Sequence, residues 1–164
     1  MTTSASIARA GSPPSSTAFS AFANIASIAA KVGTPFSSPY SASKGGLVMF
    51  TESFRSEFRR RGVSATAICP GFVSDAGMYE VMERKAGARA SRLAGTSTPQ
   101  KVAAAMIRAI KKDKPEVIVN PGPMRLLSGI SELFPGMFER VFPIFGSNKL
   151  FEKVAKREAE QEKG

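Results

Sequence analysis

The stretch "YSASKGGL" at residues 40–47 places a tyrosine and a lysine four residues apart, directly behind Pro39 and ahead of two glycines. Proline is tolerated in the first helical turn, and Ser37 or Ser38 before it is a suitable N-cap, so a helix is expected from here to about Arg61. Residues i and i+4 share a helix face, so Tyr40 and Lys44 point the same way. An ammonium beside a phenol favours the phenolate, which adapts a tyrosine with an ordinary pKa of about 10 for proton transfer nearer neutrality. Leu47, Phe50, Phe54 and Phe58 follow at steps of three and four and predict one long apolar face.

Outward from this helix, apolar runs alternate with helical patterns. "FSAFANIAS" at 19–27 precedes it as a buried strand, and "VSATAIC" at 63–69 follows as a second strand stopped by Pro70-Gly71. Residues 72–97 carry scattered glycines and charges and predict a loop with one short helix. Thr98-Pro99 repeats the cap-plus-proline start, with Val102, Met106, Ile107 and Ile110 lining a helix to about Lys112. "EVIVN" at 116–120 is a third strand. Strand, helix, strand, helix, strand predicts parallel strands joined by right-handed crossovers in an α/β layer fold. Residues 123–146 are apolar but broken by prolines, and 147–163 predict a mixed-charge helix. Residues 1–18, rich in Ser, Ala, Thr and Pro with Arg9 alone charged, predict a disordered tail. The domain plan is therefore 1–18 tail, 19–122 α/β domain and 123–164 helical extension.

Composition excludes several chemistries. With no histidine and a single cysteine, Cys69, the common zinc sites and the Ser-His-Asp and Cys-His nucleophile systems are ruled out, and no metal site is expected. The net charge of +10 suits an anionic partner. Its clusters, "RRRG" at 59–62 and "KKDK" at 111–114, fall at helix C-termini and lack interleaved aromatics, so they predict solvated helix ends and no nucleic acid. No run of eighteen apolar residues occurs, and the expected location is cytoplasmic, with association at a membrane surface as the alternative.

Three motifs taken together, "NIASIAA" at 24–30, "YSASKGGL" at 40–47 and "ICPGFV" at 68–73, resemble the short-chain dehydrogenase/reductase family. In that family a serine at a strand end, a Tyr-x-x-x-Lys helix and a Pro-Gly turn recur in this order. The resemblance covers 19 to about 120. It implies a partial Rossmann-like domain, a doubly wound parallel sheet truncated at its N-terminus, and an NAD- or NADP-dependent oxidoreductase. By the same resemblance Tyr40 is general acid or base, Lys44 tunes it and contacts the nicotinamide ribose, and Ser27 holds the substrate oxygen. Pro70, Gly71, Val73 and Ser74 would line the cofactor.

The glycine-rich dinucleotide turn of the family is absent from these 164 residues, as only 26 residues precede Ser27. The expectation is a C-terminal half of a reductase with weak or no NAD(P)H binding by itself and an exposed sheet edge. A hydrophobic carbonyl or alcohol substrate would sit under a lid of Met78, Tyr79, Met82, Phe134 and Phe138. A homodimer through helix 39–61, or a non-catalytic interaction role for the same scaffold, is the alternative. Residues 123–146 are expected to pack over the cleft ahead of lying on a membrane surface.

Overall fold

The chain's architecture follows from β3 (Val63–Pro70), whose residues from Ser64 to Pro70 are all buried. A strand covered on both faces reads as a run of small and β-branched residues without polar alternation, as "VSATAIC" does. It pairs in parallel with β2 (Ser20–Ile25) on one side, from Ser20 opposite Val63 to Ile25 opposite Ile68. On the other side it pairs in parallel with β6 (Glu116–Val119), where Ala67 meets Glu116 and Pro70 meets Val119. The computed structural model describes residues 4–6, 20–74, 77–87, 95–121, 124–134, 136, 140 and 147–161.

Side-chain alternation along β3 assigns the two layers. Ala67 and Cys69 pack with Ala26, just past β2, and with Val48 of α1 (Ser38–Phe58) on one face. Ile68, between them, packs with Val102 and Ala109 of α3 (Pro99–Lys111) on the other. The expected order of strands and helices is thus observed: a parallel sheet with helices on both faces, consistent with a partial Rossmann-type domain. Thr98 caps α3 by accepting from the Lys101 amide at 3.3 Å, and α1 ends in a 3₁₀ turn at Arg59–Arg61 closed by Gly62 at φ 78. Only glycine adopts that left-handed conformation cheaply.

Three expectations need correction. Inside the stretch read as a loose tail, Ser4–Ser6 form β1, paired antiparallel to β2 with Ser4 opposite Asn24 and Ser6 opposite Phe22. Backbone pairing needs no hydrophobic period, so composition is blind to it, and this strand covers part of the sheet edge expected to be bare. Residues 72–97 contain more than a helix. β4 (Phe72–Val73) and β5 (Thr96–Ser97) form a small parallel sheet beside α2 (Met78–Ala86).

The third correction concerns α1. Its buried residues are Val48, Thr51 and Arg55, whereas Phe50 is 58% exposed. The sheet offers this helix small side chains, which brings it close and leaves no room underneath for rings. Instead Phe50, Phe54 and Phe58 stack along its flank, and Phe54 meets Phe22 of β2 edge-on at 5.6 Å. Beneath the helix polar groups pair. Asn24 Nδ2 donates to Thr51 Oγ1 at 3.0 Å, and that hydroxyl donates to the Leu47 carbonyl at 2.6 Å. Thr51→Val strands the buried Asn24 amide and is expected to cost about 1–3 kcal/mol. Urea unfolding checks this: the midpoint should fall with unchanged slope for Thr51→Val and hold nearer the parent for Thr51→Ser, and equal midpoints for all three would refute it.

Beyond β6 the chain forms α4 (Met124–Leu133) and α5 (Ser147–Gln161), and α5 packs against α2. Lys31 Nζ lies 3.0 Å from a carboxylate oxygen of both Glu116 and Glu132, which fastens α4 to the start of β6. Burial pushes the Lys31 ammonium down, but its bonds to the two carboxylates outweigh that and hold it above the ordinary lysine range.

Candidate functional site

The C-terminal ends of β2 and β3 open into a cavity of about 720 Å³. Each wall has a local cause. After β2 the chain stays extended at Ser27, at φ −165 and ψ 159, and Ser27 caps a 3₁₀ turn at Ile28–Ala30 by accepting from the Ala29 amide at 3.2 Å. Because Oγ is used there as an acceptor, its proton can be donated elsewhere, and Ser27 borders the cavity. Tyr40 borders it from the first turn of α1, where Pro39 sets the helix start.

Lys44 stands one turn further along. Its Nζ donates to the Ile25 carbonyl at 3.2 Å and lies 5.8 Å from the centroid of the Tyr40 ring. The ammonium is therefore held behind the tyrosine by the last carbonyl of β2, outside the cavity lining. Ser27 and Tyr40 thus share a cavity wall, with Lys44 supporting it.

Of the residues read as cofactor-lining, Pro70, Gly71 and Val73 border the cavity. Ser74 faces elsewhere: its hydroxyl donates to the Ser97 carbonyl at 3.2 Å and its amide to the same oxygen at 2.8 Å, which ties β4 to β5. Gly71 has a structural reason of its own. A Cβ there would come within 2.1 Å of Asn120 Oδ1, so glycine lets the end of β6 close against the Pro-Gly turn. Of the expected lid, Tyr79 and Met82 line the cavity, but Phe134 is 62% exposed and does not. The Met78 side chain and Phe138 lie outside the described residues.

Several lining residues were not legible in the sequence. Val102, Ala103 and Met106 of α3 form one wall and Phe151 of α5 another, with Phe72 bridging Tyr79 at 4.9 Å and Phe151 at 6.3 Å. The apolar spacing along α3 signals a buried face but not that part of it borders a cavity. For Phe151, 111 positions after Tyr40, no local signal exists. The described lining carries no charged side chain; its polar side chains are Ser27, Thr34, Ser37, Tyr40 and Tyr79. Among the described residues no cluster of three metal-ligating side chains occurs, and no helix is long and apolar enough to cross a membrane.

Cys69, one residue before the Pro-Gly turn, takes no part. It is fully buried, and burial, helped by the Glu116 carboxylate, pushes its thiol up to about 12. A thiol reagent at pH 8 is expected to leave the folded protein untouched and to label one cysteine after denaturation. Rapid labelling of the native chain would contradict the burial.

A parallel sheet between two helix layers, with a serine, a tyrosine and a lysine gathered at its strand ends, defines a Rossmann-type oxidoreductase scaffold. Residues 16–87 match the family described as short chain dehydrogenase. The chain is 41% identical over 128 residues to a ketoacyl reductase, HetN, of Nostoc sp., covering 75% of this chain and 43% of that protein. It is also 41% identical over 51 residues to a 3-oxoacyl-[acyl-carrier-protein] reductase of Synechocystis sp., covering 31% of this chain and 21% of that one. A 4-hydroxyisoleucine dehydrogenase complexed with NADH superposes with a TM-score of 0.51 at 20% identity, over 65% of this chain and 47% of that one, a likeness of fold. The chain belongs to the short-chain dehydrogenase/reductase family and spans less than half the length of these proteins.

Proposed function

We propose that the chain carries the catalytic wall of an NAD(P)-dependent reductase acting on a carbonyl, or in reverse on an alcohol, borne on an apolar body. The observation that carries this reading is the Ser27 and Tyr40 pair on one cavity wall with the Lys44 ammonium behind it. In reduction the Ser27 hydroxyl donates a hydrogen bond to the substrate oxygen and orients it. Tyr40 passes its proton to that oxygen as charge builds there, and Lys44 stabilises the phenolate left behind. In oxidation the same groups run the proton the other way.

A nicotinamide cofactor, when bound, exchanges a hydride with the substrate carbon. The residues present suit its nicotinamide end. Pro70, Gly71 and Val73 offer an uncharged wall beside Tyr40, and Lys44 is the group proposed to reach the ribose. They do not suit its pyrophosphate, since neither a cation nor a glycine-rich turn lines the cavity among the described residues. Weak NAD(P)H binding by the 164-residue chain follows, and a fluorescence titration showing micromolar affinity would sink it. NAD and NADP both remain within the proposal. The apolar walls supplied by α3, Tyr79, Met82 and Phe151, and the ketoacyl reductases among the relatives, support the substrate class. The test is oxidation of millimolar NADH or NADPH by a series of apolar ketones, where dependence on Tyr40 is the expected signature.

The flank of α1 supports a homodimer, since Met49 and Phe50 are each 58% exposed. Phe50→Glu is expected to shift the chain to monomer in light scattering. Tyr40→Phe should leave association intact while removing catalysis, which separates the enzyme from a purely interacting scaffold. A cytoplasmic location belongs to the same proposal and is open to cell fractionation.

A further inference from the structure

The turn that carries Ser27 is anchored from behind by one long side chain. Ala26, Ser27, Ile28 and Ala29 all border the cavity, and the 3₁₀ turn that follows Ser27 ends at Lys31. Three short-range bonds form it: Ala29 N to Ser27 Oγ at 3.2 Å, Ala30 N to Ser27 O at 3.0 Å and Lys31 N to Ile28 O at 2.9 Å. A single 3₁₀ turn has poor hydrogen-bond geometry and little strength of its own. Ala29 is buried and Ala30 packs on the core beneath α1, which fixes where the turn sits, but methyl groups give little resistance to rotation. Ile28 borders the cavity, so of the two long side chains on the turn only Lys31 is anchored outside it.

Lys31 reaches across the sheet. Its Nζ lies 3.0 Å from Glu116 Oε2, and the two side chains are only 15% and 20% exposed. Glu116 opens β6 opposite Ala67 of β3, and β3 separates β6 from β2, so this pair ties the turn after β2 to the strand two places away. Glu132 of α4 adds a second contact at 3.0 Å, with its side chain 53% exposed. Solvent screening weakens an exposed pair, so the Glu116 contact carries most of the hold. An apolar side chain would fill the same space without desolvating a charge; what the ion pair adds is a fixed point of attachment.

We propose that Lys31 is a positioning residue for Ser27: anchored on Glu116, it fixes the 3₁₀ turn and with it the direction of the Ser27 hydroxyl toward an oxygen bound beside Tyr40. Its effect on turnover rests on the reaction proposed above, whereas the anchoring itself involves no ligand. A misplacement of about 1 Å costs up to about a hundredfold in rate, so a hydroxyl carried on one short turn needs such an anchor.

The test pairs kinetics with amide hydrogen exchange on the 164-residue chain. Lys31→Met keeps the apolar stem and removes the charge. Ketone reduction at fixed millimolar NADH or NADPH should fall about tenfold, chiefly in kcat, and Lys31→Arg, which keeps the charge, should stay within about threefold of the parent. In a Ser27→Ala background the same Lys31→Met change should cost less than about twofold, because no hydroxyl is left to position. Without any ligand, exchange of the Ala29 amide should quicken about tenfold or more in Lys31→Met. The Ala26 amide, bonded to the Ile68 carbonyl at 2.7 Å, should keep its parental rate. A lysine that served stability alone would lower turnover by the same factor in both backgrounds, and that result overturns the proposal. So does an Ala29 exchange rate equal in the parent and Lys31→Met. Turnover indifferent to both Ser27→Ala and Tyr40→Phe overturns the reaction proposed above instead, and the Ala29 rate then decides the anchoring by itself. Should Lys31→Met lose the circular dichroism of the parent, Glu116→Gln takes its place with the same readouts.

Discussion

Replacing Tyr40 by Phe is expected to lower ketone reduction by roughly 10²–10⁴-fold, the usual worth of a positioned acid or base. The ring is kept, so the packing of the first turn of α1 and the 5.8 Å approach of Lys44 to it survive. Only the transferable proton is lost. The loss should fall on kcat, because the hydroxyl acts as charge develops on the substrate oxygen and contributes little to ground-state binding. Stopped assays at fixed millimolar cofactor with an apolar ketone measure it, and an unchanged melting temperature shows that the fold is intact. A variant that keeps a tenth or more of parental turnover would mean that another group moves the proton. Ser27→Ala belongs beside it as a smaller effect, since it removes one hydrogen bond to the oxygen and leaves the proton donor in place.

Arg55→Ala should produce the largest loss of stability. Arg55 is 8% exposed and its guanidinium makes four hydrogen-bond contacts: Nη1 donates to Ser64 Oγ at 2.9 Å, the Ala65 carbonyl at 3.1 Å and Asp113 Oδ1 at 2.8 Å, while Nη2 donates to the Asp113 carbonyl at 2.9 Å. One side chain thus joins α1, the start of β3 and the turn after α3. Removing one partner of such a pair leaves the other charge and two carbonyls without their donor, a loss of about 3–5 kcal/mol. Arg59, 3.6 Å from the Asp113 carboxylate, compensates in part, so the lower end is expected. Chemical unfolding measures it, and a loss below about 1 kcal/mol would place this cluster with ordinary surface pairs.

The same cluster sets a pH dependence. The Arg55 hydrogen bond holds the Asp113 carboxyl below its ordinary value of 3.8; burial opposes this, and Ser64 and the charges of Arg55 and Arg59 reinforce it. A depressed folded-state value means that the stabilisation is fully present above the unfolded value and is lost as pH falls through the folded one. The parent should therefore lose stability more steeply than Asp113→Asn below about pH 4. Asparagine also tolerates the left-handed backbone at this position, φ 49, so that variant isolates the charge. Parallel pH profiles for the two proteins would exclude the carboxylate as the cause.

How much of this was legible in the sequence depends on whether a signal was local. β3, the cap at Thr98, the start of α1 and the Tyr40 and Lys44 face are set by neighbours within one or two turns, and side-chain chemistry with helical spacing is enough to read them. The gathering of Ser27, Tyr40 and Gly71 was reached through the resemblance of three motifs to a family, since no spacing rule places the end of one strand beside another. β1 escaped because its pairing uses backbone groups that every residue has.

The sequence by itself determined the layer order, the parallel sense of β2, β3 and β6 and the chemistry open to a chain without histidine. Periodicity and composition carry those. Only the tertiary structure decided which face of α1 meets the sheet, that Gly71 makes room for Asn120, that Phe151 lines the cavity and that Leu126 and Leu133 of α4 point outward. Each of these depends on the size and polarity of side chains far away in the chain. A helix pattern states which residues share a face, but the surface it lands on chooses which face is buried. Beneath α1 that surface is alanine with polar partners, and it selected Thr51 and Arg55 over phenylalanine.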